Sequence, residues 1–432
     1  MSLTQRLIHK IRQPKTREFA IYLGSTLCTK FIPFLALPLV TAILGPEEYG
    51  KWALFIALVT FALPLAGGTM SIEIWRHYYK QDATARAITI QNVISLIIIC
   101  GFLLFLLLLP LLFFEEILSL PSLILLTIPF ILIMQNIVTM TTKIFRFEND
   151  PKSFAIYEIG QGALMALLYT TFILGISANW MWFVISITLA TFIFTITSFI
   201  HLYKTYPLHL FKMDAAIIKE TMRVGLPMIP HLIGASFILM IDRIAIERMI
   251  SLEAVGIYSI GIMVANALKI LVTAIMKVWS PWLIEQLTHL DEMRGRQIAK
   301  QTWLLSGLLG LAAIGLWAAG YIYISFFFDK RFHPALTILP WAILTFYIQG
   351  LYQLFSHHII FKGQTKVLMV TTFSVGMINL ILTMVFIYMM GMVGAIIASA
   401  MSFALQLIAV FLYIQKDKSI SFFNFSEEKQ LP

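Results

Sequence analysis

Apolar runs of about 20 residues, the length that crosses a bilayer, follow one another along most of this chain. They read as roughly 18–44, 51–75, 87–114, 122–145, 153–175, 178–203, 224–250, 257–280, 300–326, 335–361, 367–390 and 394–415. A segment lying in hydrocarbon must satisfy its backbone amides internally. Each run is therefore expected as a helix, about twelve in all. The expected class is an all-α polytopic membrane protein. Gly391 and Gly394, flanking Met392 and Val393, place a tight turn between the last two runs.

Nothing remains from which to build a soluble surface. The chain is 59% hydrophobic and 12% charged, against about 25% charged in a soluble domain. Its net charge of +9 would suit nucleic acid. The basic residues, however, fall in short clusters between apolar runs, which is the pattern of membrane topology, so nucleic-acid binding is discounted. Cys28 and Cys100 both lie inside apolar runs, where neither a disulfide framework nor a metal spacing is expected. Residues 1–17 are basic and polar, and the run after them is too long for a signal-peptide core. It reads as a retained first helix.

Lysine and arginine set the orientation. One side carries Arg6, Lys10, Arg12, Lys15 and Arg17, then Arg76, Lys80 and Arg86, then Lys143, Arg146 and Lys152. The same side continues through Lys204, Lys212, Lys219 and Arg223 and ends at Lys416, Lys418 and Lys429. The other side has Lys51, Lys330 and Arg331 beside the acidic pairs Glu47-Glu48 and Glu115-Glu116. Both termini are expected in the cytoplasm. The connection 204–223 then divides an N-terminal bundle, 18–203, from a C-terminal bundle, 224–415, with 416–432 as a cytoplasmic tail.

An even split makes the halves candidates for parallel repeats. Glu47, Gly50 and Trp52 after the first run match Glu253, Gly256 and Tyr258 after the seventh. Both runs also carry paired prolines, Pro33 and Pro38 in the first, Pro227 and Pro230 in the seventh. An interior proline removes a helix hydrogen bond and bends the helix, so these four are candidate hinges. The plainer account is that membrane helices tolerate proline.

A few charges sit where hydrocarbon is expected, and each costs at least about 2.5–3.5 kcal/mol there. Such groups normally face a protein interior or a watery cavity. The candidate cavity cations are Lys30, Lys269, Arg243 and Arg76; ion pairing between helices is the plainer role. Asp242, Glu158, His231 and Glu73 are candidate coupling-ion or ion-pair residues. Asp242 and Arg243 stand about 100° apart on a helix and cannot both face one cavity, whereas His231 and Asp242 fall within about 20° of one face. Glu73 and Arg76 suit simple i,i+3 pairing, as Arg243 and Glu247 suit i,i+4.

The stretch Leu44-Gly45-Pro46-Glu47-Glu48-Tyr49-Gly50, preceded by Leu37-Pro38, resembles the opening of bacterial polysaccharide-export flippases. Val224-Gly225-Leu226-Pro227, Asp242-Arg243 and Glu253-Ala254-Val255-Gly256-Ile257-Tyr258-Ser259 are similar to that family too, as are Arg76 and Gly391-Met392-Val393-Gly394-Ala395. The family is the O-antigen and capsule repeat-unit flippase group, within the superfamily of multidrug extruders and the lipid II flippase. The resemblance implies paired six-helix bundles around a central cavity, working by alternating access in the bacterial inner membrane.

The implied cargo is an undecaprenyl-pyrophosphate-linked, anionic oligosaccharide, with a polysaccharide polymerase and a chain-length regulator as candidate partners. No bound cofactor and no catalysis are expected; coupling to a proton or sodium gradient is left open. A multidrug or cation antiporter of the same fold is the alternative, and it would favour unpaired carboxylates. A membrane polymerase or glycosyltransferase would need a long extramembrane loop with clustered carboxylates, and no such loop is found.

Overall fold

The computed structural model describes residues 14–209, 213–288, 290–361, 364–415 and 422. They divide into two compact units, Met1–Ser236 and Phe237–Pro432. The division falls inside a helix, C-terminal to the connection expected at 204–223.

In the first unit α1 runs over Pro14–Ala62, followed by a widened turn at Pro64–Gly68 and the short α2, Ile72–His77. Helix α3 covers Ala83–Leu108. After a tight turn at Leu109–Phe113, strands β1 (Glu116–Ile117) and β2 (Leu120–Pro121) pair antiparallel. Then come α4 (Ser122–Leu125), α5 (Ile128–Phe147), α6 (Pro151–Gly175) and α7 (Met181–Thr205). Helix α8, Ala215–Met249, begins in this unit and ends in the second. The second unit adds α9 (Leu252–Thr288), α10 (Glu292–Phe327), α11 (Ala335–Phe361), α12 (Thr365–Met390) and α13 (Met392–Gln415).

The all-α membrane class holds. Among the described residues nine helices are long and apolar enough to span a bilayer, or ten if a pair bent by 49° at residues 62–64 counts as one span. The expected runs all fall on helices, and the lower count has a physical cause. Helix α8 carries Lys219, Glu220, Arg223, Asp242, Arg243, Glu247 and Arg248, too many charges for an unaided apolar span. The first two runs are merged by α1, where the expected 45–50 loop shrinks to Gly45 at φ 77°. Only glycine adopts that conformation cheaply. The turn expected between the last two runs is Gly391 alone, at φ 61°.

Among the described residues four helices start on an aspartate; before α8, Asp214 Oδ1 accepts from the amides of Ala216 and Ile217 at 2.9 and 3.2 Å. Asp82, Asp150 and Asp291 accept from the amides of Ala85, Ser153 and Arg294 at 2.7, 3.1 and 2.7 Å, filling donors that a helix start leaves open. In the turn before α11, the side chain and amide of Arg331 hold the exposed Asp329 carboxyl below its usual range.

The core of the first unit packs Ile90, Ile94 and Ile97 of α3 against Ile137, Met140 and Ile144 of α5. That of the second packs Val272, Met276 and Trp279 of α9 against Leu354, Phe355 and Val410. Phe422 joins this second core beyond the last helix. It packs on Phe355 and Phe411 and accepts, through its carbonyl, a 2.9 Å hydrogen bond from Trp303 Nε1. Large apolar side chains also face outward, with Phe113 90% and Phe326 80% exposed. Lipid is the solvent such a surface requires.

Candidate functional site

Two polar centres lie inside the helices, one in each unit. The first is a cavity of about 350 Å³ lined from α1, α5, α6 and α7. Glu158 reaches it from α6, one turn before Gln161 and Gly162, with Gln135 and Thr139 arriving from α5. The Gln161 amide donates to Gln135 Oε1 at 3.0 Å and to Thr191 Oγ1 at 3.1 Å. Glu158 is half-buried, and among the described residues it forms no ion pair with a cation. No described lysine or arginine lines the cavity.

The bend after α1 is fastened near this cavity's helix α5. Asn136 Nδ2 donates to the Ala66 carbonyl at 2.9 Å, and Lys143 Nζ donates to Ser71 Oγ at 3.2 Å. Thus Lys143, expected as a plain topology signal, stands half-buried against the broken stretch of the chain.

The second centre is Asp242 on α8, which is 2% exposed. Its Oδ2 accepts from Tyr258 Oη at 2.7 Å and from Ser399 Oγ at 2.9 Å, and its Oδ1 accepts from Thr383 Oγ1 at 3.3 Å. One turn along α12, Asn379 Nδ2 donates to Ser402 Oγ at 3.1 Å, while the buried Asn379 Oδ1 has no hydrogen-bond partner. Arg243 donates from Nε to Ser259 Oγ at 3.2 Å, yet it lines one small pocket together with Asp242, Tyr258 and Ser399. The expectation that the two neighbours could not share a cavity is therefore corrected: a long arginine side chain reaches round the roughly 100° that separates adjacent positions on a helix. Burying a carboxylate is costly unless its oxygens are hydrogen-bonded, and three hydroxyls meet that need here.

The other expected residues fall as follows. Lys269 is half-buried on α9 and its carbonyl accepts from Thr273 Oγ1. Glu73 is buried on α2 at 5% exposure. Glu247 approaches Arg248, with Oε2 to Nε 3.3 Å. Pro38 lies on α1, and α8 continues through both Pro227 and Pro230. The side chains of Lys30, Pro33, Arg76 and His231 lie outside the described residues, and with them the expected His231–Asp242 line.

Sequence reasoning took Tyr258 only as part of a repeat match and a family motif, and passed over Thr383, Ser399, Gln135 and Gln161. The two glutamines carried a readable signal, since an amide in an apolar run needs a partner in the membrane. The hydroxyls carried little, because serine and threonine satisfy themselves by bonding back one turn, as Thr141 does to Ile137.

A family described as polysaccharide biosynthesis protein has a profile that matches residues 16–287. No curated protein matches the sequence. Among solved structures, an inward-facing multidrug resistance MATE family transporter of the MOP superfamily superposes with a TM-score of 0.67 at 13% identity. That match covers 92% of this chain and 97% of the other. The lipid II flippase MurJ, in an inward closed conformation, superposes with a TM-score of 0.67 at 15% identity, covering 91% and 87%. The MATE multidrug transporter DinF-BH, in complex with R6G, gives 0.62 at 18%, covering 95% and 97%. At these identities the likenesses establish the fold, and the fold is that of MOP-type transporters.

Proposed function

Because the chain belongs to the polysaccharide biosynthesis protein family, we propose that it is a flippase for lipid-linked glycan. It carries an undecaprenyl-pyrophosphate-linked oligosaccharide repeat unit from the cytoplasmic to the periplasmic leaflet of the bacterial inner membrane. Both termini face the cytoplasm, and a polymerase and a chain-length regulator take the product onward. The observation that supports this most is the family match across 16–287 on a polytopic helical fold.

The physics fits that reading. A pyrophosphate with several sugars cannot cross about 30 Å of hydrocarbon unaided, so the helices must offer polar groups within the membrane. Lys269 and Lys30 are the cations assigned to the phosphates, and alternating access moves the head group past them. Asp242 is assigned to energy coupling. An intramembrane carboxylate is a functional centre by default, and the oxygens of Thr383 and Ser399 and the free Oδ1 of Asn379 could join it around a sodium ion, or a proton could neutralise it.

Deleting the gene in its host should abolish surface polysaccharide and leave lipid-linked repeat units in the inner leaflet. Unchanged surface glycan would overturn export. A multidrug or cation antiporter is the second reading, supported by Glu158 standing in a cavity without a described cation. It predicts greater sensitivity to cationic drugs in the deletion strain, with normal glycan.

A further inference from the structure

The cavity around Glu158 does not suit a phosphate. At about 350 Å³ it lies at the small end of ligand pockets, which run from about 300 to 1,000 Å³. Its one ionisable side chain of acidic type is Glu158, and no described cation lines it. A carboxylate repels a phosphate strongly where water is scarce.

What the lining offers instead is an alternation of donors and acceptors. The Gln161 amide nitrogen is spent on Gln135 Oε1 and Thr191 Oγ1, which fixes the two amides against each other. That leaves the Gln135 amide nitrogen as a donor and the Gln161 oxygen and the Glu158 carboxylate as acceptors for a guest. Neighbouring hydroxyls on a sugar ring each give and take a hydrogen bond, and an amino group would meet the carboxylate directly. Gly162 keeps the space open. A Cβ there would stand 3.6 Å from Thr29 Cγ2, an ordinary contact, so alanine fits and a longer side chain enters the cavity.

We infer that this cavity, built wholly within the N-terminal unit, is a sugar subsite: it receives one neutral or amino-bearing ring of the carried glycan and excludes the pyrophosphate. The inference rests on the export reading and adds to it a division of labour. Sugar is held by the carboxylate and amides of α5 and α6 in the first unit, whereas Lys269, assigned to the phosphates, belongs to the second.

The test uses the full chain in nanodiscs. The probe is free oligosaccharide released by mild acid from the host's own lipid-linked glycan, and inorganic pyrophosphate is the competitor. The wild type should bind the oligosaccharide, and excess pyrophosphate should not displace it. Glu158→Gln and Gly162→Leu should each weaken binding roughly tenfold or more. Should Gly162→Leu fail to fold, Glu158→Gln together with Thr139→Val decides the matter. No binding by the wild type, displacement by pyrophosphate, or undiminished binding by the folded variants overturns the subsite. Export is scored separately. If deletion removes surface glycan and Glu158→Gln restores it fully, the subsite fails and the export reading stands. If deletion leaves glycan intact, the export reading itself fails.

Discussion

The hydroxyl of Tyr258 on α9 donates a 2.7 Å hydrogen bond to Oδ2 of Asp242 on α8, and both side chains are buried. Helices α12 and α13 supply the other two donors, Thr383 and Ser399. One carboxylate thus ties together four helices of the second unit. Any change in its charge alters the bonding of all four at once.

Asp242→Asn keeps the size of the side chain and removes the charge. Surface glycan should fall at least about tenfold, the scale of one charged hydrogen bond, with membrane protein level preserved. Asp242→Ala should additionally lower the amount of folded protein, because each stranded buried hydroxyl costs about 1–3 kcal/mol. Normal export by a stable Asp242→Asn protein would remove Asp242 from the coupling step.

Lys269 and Lys30 are tested by charge. Lys→Ala at either position should reduce export without loss of protein, and Lys→Arg should retain part of it, since arginine keeps the charge but differs in shape and hydration. A lysine that only holds helices together behaves otherwise: its removal strands a carboxylate and lowers protein level. Surface glycan and immunoblotted membrane protein, read side by side, separate the two outcomes.

Pro227 and Pro230 interrupt the hydrogen bonding of α8. The double replacement by alanine should insert and accumulate normally but export more slowly, because the straightened helix bends less readily. Export at the wild-type rate would make these prolines incidental.

Gly391 adopts φ 61° and ψ −145° between α12 and α13, a conformation in which a side chain is strained by about 1–3 kcal/mol. Gly391→Ala should lower the melting temperature of the purified protein, whereas Gly175→Ala, where an added Cβ meets nothing within 4 Å, should not. Equal melting curves for the two variants would contradict the assigned turn.

Orientation is read by cysteine labelling on intact cells. An impermeant thiol reagent should modify Glu116→Cys, in the β1–β2 hairpin, and spare Lys204→Cys at the end of α7. The reverse pattern would invert the topology.

The helices were legible because hydrocarbon leaves the backbone one short-range solution, and an apolar run announces it. The sharp turns were partly legible. Gly391 was visible as a turn signal, but Gly45 looked like the start of a loop, since nothing local shows that helix resumes immediately after it. The two polar centres were legible in their ionisable members, Asp242 and Glu158, whose cost in the membrane makes them conspicuous. Their partners come from far along the chain. Thr383 and Ser399 meet Asp242 across 141 and 157 residues, and no periodicity in one run foretells which hydroxyl of another it will face.

Phe422 shows where a reporter can be attached without harm. Seven positions after Gln415, the last residue of α13, its ring is 2% exposed among Phe355, Phe411 and His358, and its backbone holds the indole of Trp303. A fluorescent protein or affinity tag fused directly after the last span would sever that clasp and leave an aromatic socket open beside Phe355 and Phe411. A fusion placed beyond Phe422 preserves it, so localisation or purification studies built on the shorter version would describe a loosened molecule.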